Sequence, residues 1–370
     1  MRRNINISVV EAAERRVLQA FNRNKYVNLN FSGGKDSIVT GDIVIKTMQK
    51  YNISFDRLYV IFYDEEGVFD DFEQTVIEWR EKFISLGAHF YWFCLPIVHY
   101  NCVNKLENDE TFVCWEPGKE HLWIRKMPKF AIRHHSKFKP GMNYQKFNDV
   151  LFKNTPTIVG LRMYESLQRM GVIRRMSNTQ NNFIYPIYDW QDNDVWLYIQ
   201  RRGLKFPITY LYLYKVGTPL NRLRISQFFS IDTIKVVPKI LEFYPDLYER
   251  IIRREPNADL VMLYWETEMF RSSKQDNKFS KDEPKSWKKK FNEELKKAYK
   301  NPSMYPGIKA LKVLFKDLTE LNSDKVYRGM YGVLIAGDPK KRTVRSLQSQ
   351  IKIENKQSYE TGTKKIKSSS

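Results

Sequence analysis

Phe31-Ser32-Gly33-Gly34-Lys35-Asp36-Ser37 is the stretch that decides the fold of this chain. Just upstream, Tyr26-Val27-Asn28-Leu29-Asn30-Phe31 alternates apolar and polar residues of β-forming types, which predicts a strand. Just downstream, Ile38, Val39, Ile43, Val44 and Met48 recur at helical spacing, which predicts a helix opened by Asp36 or Ser37. A strand, two glycines and a helix start together make a phosphate site. Gly33 and Gly34 permit positive φ, and without a Cβ they let an anion come close to the backbone. The first-turn amides of the helix lack partners within it and point at that anion, aided by the helix dipole. Ser32 and Ser37 offer hydroxyls, Lys35 a mobile positive charge, and Asp36 a carboxylate suited to Mg²⁺. The glycine spacing is neither that of a Walker A loop nor that of the G-x-G-x-x-G fingerprint. A hairpin turn with a capping serine is the plainer alternative, and the flanking strand and helix argue against it.

The chain has 370 residues, enough for two domains, and its 42% hydrophobic and 14% aromatic content excludes a disordered polymer. No apolar run reaches membrane-spanning length, and no signal-type apolar segment follows Met1-Arg2-Arg3-Asn4. The expectation is a soluble cytoplasmic protein without a membrane partner. Cys94, Cys102 and Cys114 are an odd, widely spaced set, which argues against a disulfide framework. Lys and Arg number 62 against 42 Asp and Glu, a net charge of +20. Such an excess suits a polyanionic partner, nucleic acid or an anionic substrate, and equally a basic surface with no partner.

An amphipathic helix is expected over residues 7–24, with Val9, Val10, Ala13, Val17, Leu18 and Phe21 on one face. A strand at Arg57-Leu58-Tyr59-Val60-Ile61-Phe62-Tyr63 ends in Asp64-Glu65-Glu66. A helix over about 70–86 is closed by Gly87, and His89-Phe90-Tyr91-Trp92-Phe93-Cys94 forms a third strand. Strands alternating with helices imply βαβ units and a parallel sheet, whose ligands bind beyond the carboxyl ends of the strands. Asp64 sits at such an end, where a carboxylate accepts from ribose hydroxyls or holds Mg²⁺; three acids in a row also suit a solvated turn.

Between Pro96 and about Asn154 the pattern breaks down. Trp115, Trp123, Phe130 and Phe138 are interleaved with Lys119, Arg125, Lys126, Lys129, Arg133, Lys137 and Lys139. Such a mixture suits base stacking and phosphate contact, but the pattern favours a basic amphipathic insertion packed on the sheet, which would look the same. Cys94, Cys102, Cys114, His121, His134 and His135 show no pair with zinc-finger spacing, which disfavours a metal site. Thr157-Ile158-Val159-Gly160-Leu161 reads as a buried strand. After it, Arg162, Glu165 and Arg169 share one helical face, and Arg174 and Arg175 follow. Guanidinium groups at a strand's carboxyl end favour phosphate or sulfate capture over solvated helix charges. Asp192 is read as the N-cap of a helix that buries Val195, Trp196 and Ile199 and ends at Gly203, a structural segment.

Ser32-Gly33-Gly34-Lys35-Asp36-Ser37 after a strand resembles the PP-loop of ATP pyrophosphatases, shared with ATP sulfurylase small subunits, tRNA-thiolating enzymes and phosphoadenylyl-sulfate (PAPS) reductases. With the acidic strand end at 64–66, Gly160-Leu161-Arg162-Met163-Tyr164-Glu165-Ser166, and the Tyr185-Pro186-Ile187-Tyr188-Asp189-Trp190 to Asp194-Val195-Trp196 stretch, residues 20–205 resemble the PAPS reductase family. The resemblance implies a Rossmann-like α/β parallel sheet of the adenine nucleotide α-hydrolase-like type. It implies phosphate binding at Ser32, Gly33, Gly34, Lys35, Asp36 and Ser37, with Asp64 near the nucleoside. Arg162 would face the sulfate or phosphate end, and Gly160, Glu165 and Arg169 are further nucleotide-binding candidates. One departure is chemical: the family's reductases use a cysteine near the C-terminus, and this chain has none after Cys114. Sulfonucleotide reduction is therefore disfavoured, and no iron–sulfur cluster is expected. From Asn221 to Asp259 the chain resembles, more loosely, the extension of phage- and bacterium-borne PAPS reductase-like proteins, one of which works beside a ParB-type partner.

The expected organisation is a PP-loop domain over residues 1–205 with an insertion at 96–154, a mostly helical domain over 206–336, and a flexible basic tail over 337–370. The expected function is binding of ATP or a related adenine nucleotide and cleavage between its α- and β-phosphates. Lys35, Asp36 and Arg162 are the catalytic candidates, Asp36 holds Mg²⁺, and the adenylyl group passes to an acceptor, nucleic acid among the candidates. The alternatives are a nucleotide-sensing regulator that binds nucleic acid, and a sulfonucleotide reductase.

Overall fold

The computed structural model describes residues 7–104, 110–152, 155–165, 170, 182–264, 286–319, 322–338 and 341–367. The chain divides into two compact units, residues 1–262 and 263–370.

The first unit is built on a five-stranded, wholly parallel sheet in the order β3-β2-β1-β6-β7. Helix α1 (Val9–Arg23) leads in, capped by Ser8, whose hydroxyl accepts from Glu11 N at 3.1 Å. Strand β1 (Val27–Asn30), helix α2 (Lys35–Lys50), strand β2 (Leu58–Tyr63), helix α3 (Asp70–Ser85) and strand β3 (His89–Phe93) then alternate. The periodicity that predicts these elements places their ends within a residue or two, because each carries its own apolar pattern. Strands β4 (Val98–Tyr100) and β5 (Thr111–Val113) form a separate antiparallel pair, and helix α4 (Tyr144–Leu151) follows. Strands β6 (Thr157–Val159) and β7 (Phe183–Ile184) complete the sheet on the far side of β1.

The insertion is held in two ways. Ile61, Tyr63, Tyr91 and Phe93 lie two apart on paired strands, so they share one sheet face. Phe147 of α4 packs on that face, with Ile132, Phe138 and Met142 beside it. Phe138, one of the four interleaved aromatic residues, is thus used in packing, and Trp115 is buried as well. Arg125 crosses to the end of β2, where it pairs with Asp64 and, at 2.6 Å, with Glu73.

Helices α5 (Asp192–Arg202), α6 (Thr209–Lys215) and α7 (Leu247–Arg254) close the unit. Residues 206–262 belong to it, so the first unit runs well past residue 205. Their side chains explain why. Thr209 Oγ1 donates to Asp71 Oδ1 at 2.7 Å, Tyr244 hydroxyl donates to the same oxygen at 2.9 Å, and Arg250 pairs with Asp70 at 2.6 Å. Arg254 Nε meets Glu66 Oε1 at 3.0 Å, with both side chains buried.

The second unit holds helices α8 (Trp287–Lys300), α9 (Asp324–Ala336) and α10 (Arg342–Lys367). Trp287, Phe291, Leu311, Met330, Leu347 and Ile351 are among its core residues. Asp324 accepts from Trp287 N at 2.8 Å and Lys288 N at 2.9 Å, so α9 caps the start of α8. The segment from 337 is basic and polar by composition, yet Val344, Leu347 and Ile351 give α10 an apolar stripe that packs into this core. Among the described residues no helix is long and apolar enough to cross a membrane.

Gly160, just past β6, packs the sheet against the start of α2. A Cβ there would stand 2.8 Å from both Asp36 O and Thr40 Oγ1. Gly160→Ala should therefore cost about 1–3 kcal/mol of stability, the scale of core overpacking. Urea denaturation of the variant checks this; an unchanged midpoint would contradict the close approach.

Candidate functional site

The sheet order changes direction beside β1: the chain moves from β1 out to β2 and β3, then returns to place β6 on the other side. Crevices at such switch points, beyond the carboxyl ends of the strands, are where open α/β sheets bind ligands. Two segments emerge into this one. The loop at 31–34 follows β1, and Gly160-Leu161-Arg162 follows β6.

Gly33 has φ +75°, and a Cβ on it would come within 2.4 Å of Val76 Cγ2, so both conformation and packing against α3 require glycine. Gly34 differs from the expectation. Its backbone is extended at φ −74° and ψ 160°, and it serves as the N-cap of α2, which starts one residue earlier than expected, at Lys35. What a side chain at Gly34 would meet is the hydroxyl of Tyr210, 3.3 Å from a Cβ. Ser32 Oγ donates to Ser37 Oγ at 3.2 Å, which donates to Gly34 O at 2.9 Å, so the two hydroxyls hold the loop in shape. Among the described residues no acceptor meets the amides of Gly33, Gly34, Asp36 or Ser37. That is the polarity an anion seeks at a helix start.

The charged groups are in contact with one another. Lys35 Nζ donates to Asp36 Oδ2 at 2.9 Å, and Arg162 Nε donates to Asp36 Oδ1 at 2.6 Å. Arg162 Nη2 reaches Asp192 Oδ1 at 2.8 Å. Burial pushes the Asp36 carboxyl up, and Lys35 and Arg162 more than offset this, leaving it below its ordinary value. Burial lowers the Lys35 ammonium, against the pull of Asp36. For Arg162 burial also disfavours the charge, and Asp36 and Asp192 raise it above its ordinary value. The Arg162 side chain is 1% exposed and Lys35 3%, against 15% for Asp36. The cluster is a charge relay of static kind, a line of alternating signs from Lys35 to Asp192.

Asp192, the last member of this line, and Tyr210, beside its first, are not marked as site residues by the sequence. Asp192 is the first residue of α5, not its cap: Gln191 takes the cap and forms a capping box with Asp194, which frees Asp192 to hold Arg162. Tyr210, buried on α6, places its hydroxyl 3.2 Å from the Lys35 amide and accepts from it. Its aromatic neighbours Trp196 and Phe206 fix the ring edge-on and tilted.

Asp64 has other partners. Its Oδ1 accepts from Arg125 and from Glu66 N at 3.0 Å, and its Oδ2 from Trp92 Nε1 at 2.9 Å. Both oxygens are thus engaged in tying the insertion to β2, in a fully enclosed side chain. Gly160 acts on packing, as described above. Glu165 ends a short 3-10 turn, Met163–Glu165, and its side chain, with Arg169, Arg174 and Arg175, lies outside the described residues. The three thiols are buried. Burial pushes Cys94 and Cys114 well up, and the Cys114 thiol donates to Glu65 O at 3.2 Å. Among the described residues no three His, Cys, Asp or Glu side chains gather as metal ligands.

Residues 100–251 match the phosphoadenosine phosphosulfate reductase domain. This supports the PAPS reductase-like PP-loop family. The matched stretch contains Arg162, Asp192 and Tyr210 and begins after the loop at 32–37. The uncharacterized protein YbdN of Escherichia coli is 29% identical over 249 residues, which is 60% of this chain and 59% of that protein. The chain thus spans about three-fifths of the length of that relative. Among solved structures, an FMN adenylyltransferase of Candida glabrata covers 55% of this chain and 58% of its own, at 14% identity and TM-score 0.33. A PAPS reductase of Candida auris, in a phosphate complex, covers 61% and 90%, at 13% identity and TM-score 0.32.

Arg162→Lys should lose one of the two bridges, since an ammonium cannot span Asp36 and Asp192 as the fork does. The expected loss is about 1–3 kcal/mol of folding stability, the scale for hydrogen bonds to charged groups. Thermal and urea denaturation read it, and an unchanged stability would mean that the line of charges is not stabilising.

Proposed function

We propose that the crevice between β1 and β6 binds ATP or a related adenine nucleotide and cleaves it between the α- and β-phosphates. The observation that carries this reading is the meeting of Lys35, Asp36 and Arg162 beside four amides that no acceptor meets among the described residues. Those amides and the two cations are placed to hold β- and γ-phosphates and to stabilise charge on departing pyrophosphate. A nucleophilic atom of the acceptor attacks the α-phosphorus, the bond to the bridging oxygen breaks, and pyrophosphate leaves with the electron pair. The acceptor's proton passes to water. Asp36 fits Mg²⁺ in one respect: that ion is commonly held by one or two carboxylates together with phosphate oxygens and water. Both Asp36 oxygens are taken by Lys35 and Arg162 here, so the fit requires one cation to turn toward phosphate when the nucleotide arrives. The ion would supply charge neutralisation at the phosphates.

The adenylyl acceptor in this reading is nucleic acid, which the net charge of +20 favours. A cytoplasmic setting belongs to the same proposal and rests on the composition of the sequence; a ParB-type protein partner belongs to the alternative of a nucleotide-sensing regulator and rests on sequence likeness alone. Thiol chemistry is disfavoured by the burial of all three cysteines and the raised Cys94 and Cys114.

The test is product analysis of the full chain with ATP, Mg²⁺ and single-stranded nucleic acid as acceptor. Pyrophosphate is expected as product, with loss of at least about 100-fold in Lys35→Ala, the scale of removing one preorganised charge-stabilising group. A Cys94→Ser/Cys102→Ser/Cys114→Ser variant should keep the activity. ADP and phosphate as products, or sulfite release from PAPS with a thiol donor, would contradict the reading.

A further inference from the structure

Residues 121–148 contain seven Lys and Arg and three His and not one Asp or Glu. Arg125 is the member turned inward, spent on Asp64 and Glu73. Lys126, Lys129, Arg133, Lys137, Lys139 and Lys146 are exposed, and among the described residues no carboxylate pairs with any of them. The aromatic residues of the same segment go two ways. Phe138 and Phe147 are packed on the sheet, whereas Phe130 and Tyr144 are 41% and 49% exposed. The Arg80 guanidinium lies 4.1 Å from the Phe130 ring centre.

The placement of this charge follows from one pairing. Ile132 bridges Phe93 in the parallel sense, so the segment runs alongside β3 and leaves it in the direction of every strand of the sheet. Arg133, His134 and Ser136 therefore emerge at the carboxyl edge, the edge that carries the loop at 32–37 two strands away. Strands lie about 4.8 Å apart, which puts β1 and β3 roughly 10 Å from each other. At this point the wall holds a cavity of about 370 Å³, within the range of roughly 300–1,000 Å³ usual for ligand sites. Leu95, Phe138 and Pro140 supply apolar lining, and Arg133, His134 and Ser136 supply polar atoms.

We propose that the 126–146 surface is a docking site for single-stranded nucleic acid, with phosphates on the lysines and one unstacked base in the cavity beside Arg133. Unpaired basic side chains with exposed aromatic rings are the combination that single strands use, because every base offers a π-face and every phosphate a charge. A duplex would satisfy the lysines and leave the apolar-lined cavity unfilled, since its bases are stacked and paired. Calling the bound strand the acceptor rests on the function proposed above; the docking itself does not.

The experiment is fluorescence anisotropy with the full chain and labelled single-stranded DNA and RNA of about 20 nucleotides, longer than a site of roughly 4–16. Arg133→Ala/Lys137→Ala/Lys139→Ala should weaken binding by at least about tenfold. It should also reduce the slope of log affinity against log salt by about 2, from three phosphates at roughly 0.7 each. Removing equal charge elsewhere, in Lys215→Ala/Lys235→Ala/Lys239→Ala, should change affinity by less than about threefold, well under one decade of binding free energy. Strand binding is measured without ATP and with the wild-type nucleotide site, so that a failed ATP assay and a failed docking surface are told apart. Equal losses in the two triple variants, equal or tighter binding of the matching duplex, or capture of phosphatidylserine vesicles without the strand would each overturn the proposal.

Discussion

Asp36 holds two cations at once, and the carboxyl edge of the sheet depends on that. Lys35 opens α2 just after the loop that follows β1, and Arg162 comes from the turn after β6; they are separated by more than a hundred residues and joined by one carboxylate. Buried charges of one sign would repel, and burial makes Lys35 lose its proton more readily; the shared carboxylate screens the repulsion and offsets part of the burial effect. Gly160 makes the geometry possible by letting β6 end against the backbone of Asp36 itself. Asp192 then fixes the far end of the guanidinium. Four residues from three parts of the chain are thereby gathered at one place before any ligand arrives, so that only one cation has to turn from Asp36 toward phosphate.

A second set of buried charges does different work. Asp64 with Arg125, and Glu66 with Arg254, sit at the end of β2 and tie the insertion and α7 to the sheet. Glu66 holds φ +58°, uncommon for a residue with a side chain, and its carboxylate accepts from Trp115 N at 2.6 Å and Ile124 N at 3.3 Å. Burial raises the Glu66 carboxyl, and Arg254 and the two amides pull it back. Breaking such a pair by removing one partner typically costs about 3–5 kcal/mol. The acidic strand end thus acts as an anchor for chain that arrives from far away, and the insertion can present its lysines outward because its aromatic residues and Arg125 are used inward.

The local parts of this architecture were legible because they are encoded locally. Alternation in β1 and β2, the 3.6-residue pattern in α2 and α3, and the Gly-Gly turn between strand and helix each announce themselves within a few residues. Arg162 was legible as a candidate from its position after a buried strand, and the structure pairs it with Asp36 and Asp192. Its partner was not, because an aspartate one residue after Gln191 reads as a cap, and only the capping box between Gln191 and Asp194 shows that the cap is taken. Tyr210 had no signal at all: it lies beyond Gly203, whose left-handed cap ends α5 and looks like the end of a domain. Asp64 shows the same limit from the other side. A carboxylate at a strand end reads as a ligand group until Arg125, sixty-one residues on, is seen to occupy it. Long-range pairing is what composition and spacing do not carry.

The most direct test of the account is amide hydrogen exchange of the full chain with and without a non-hydrolysable ATP analogue. Exchange should slow at Gly33, Gly34, Asp36 and Ser37, the loop amides that no described acceptor meets, and at the turn around Arg162. Unchanged exchange there, or protection confined to another part of the sheet, would contradict the claim that the Lys35–Asp36–Arg162 cluster is the nucleotide site.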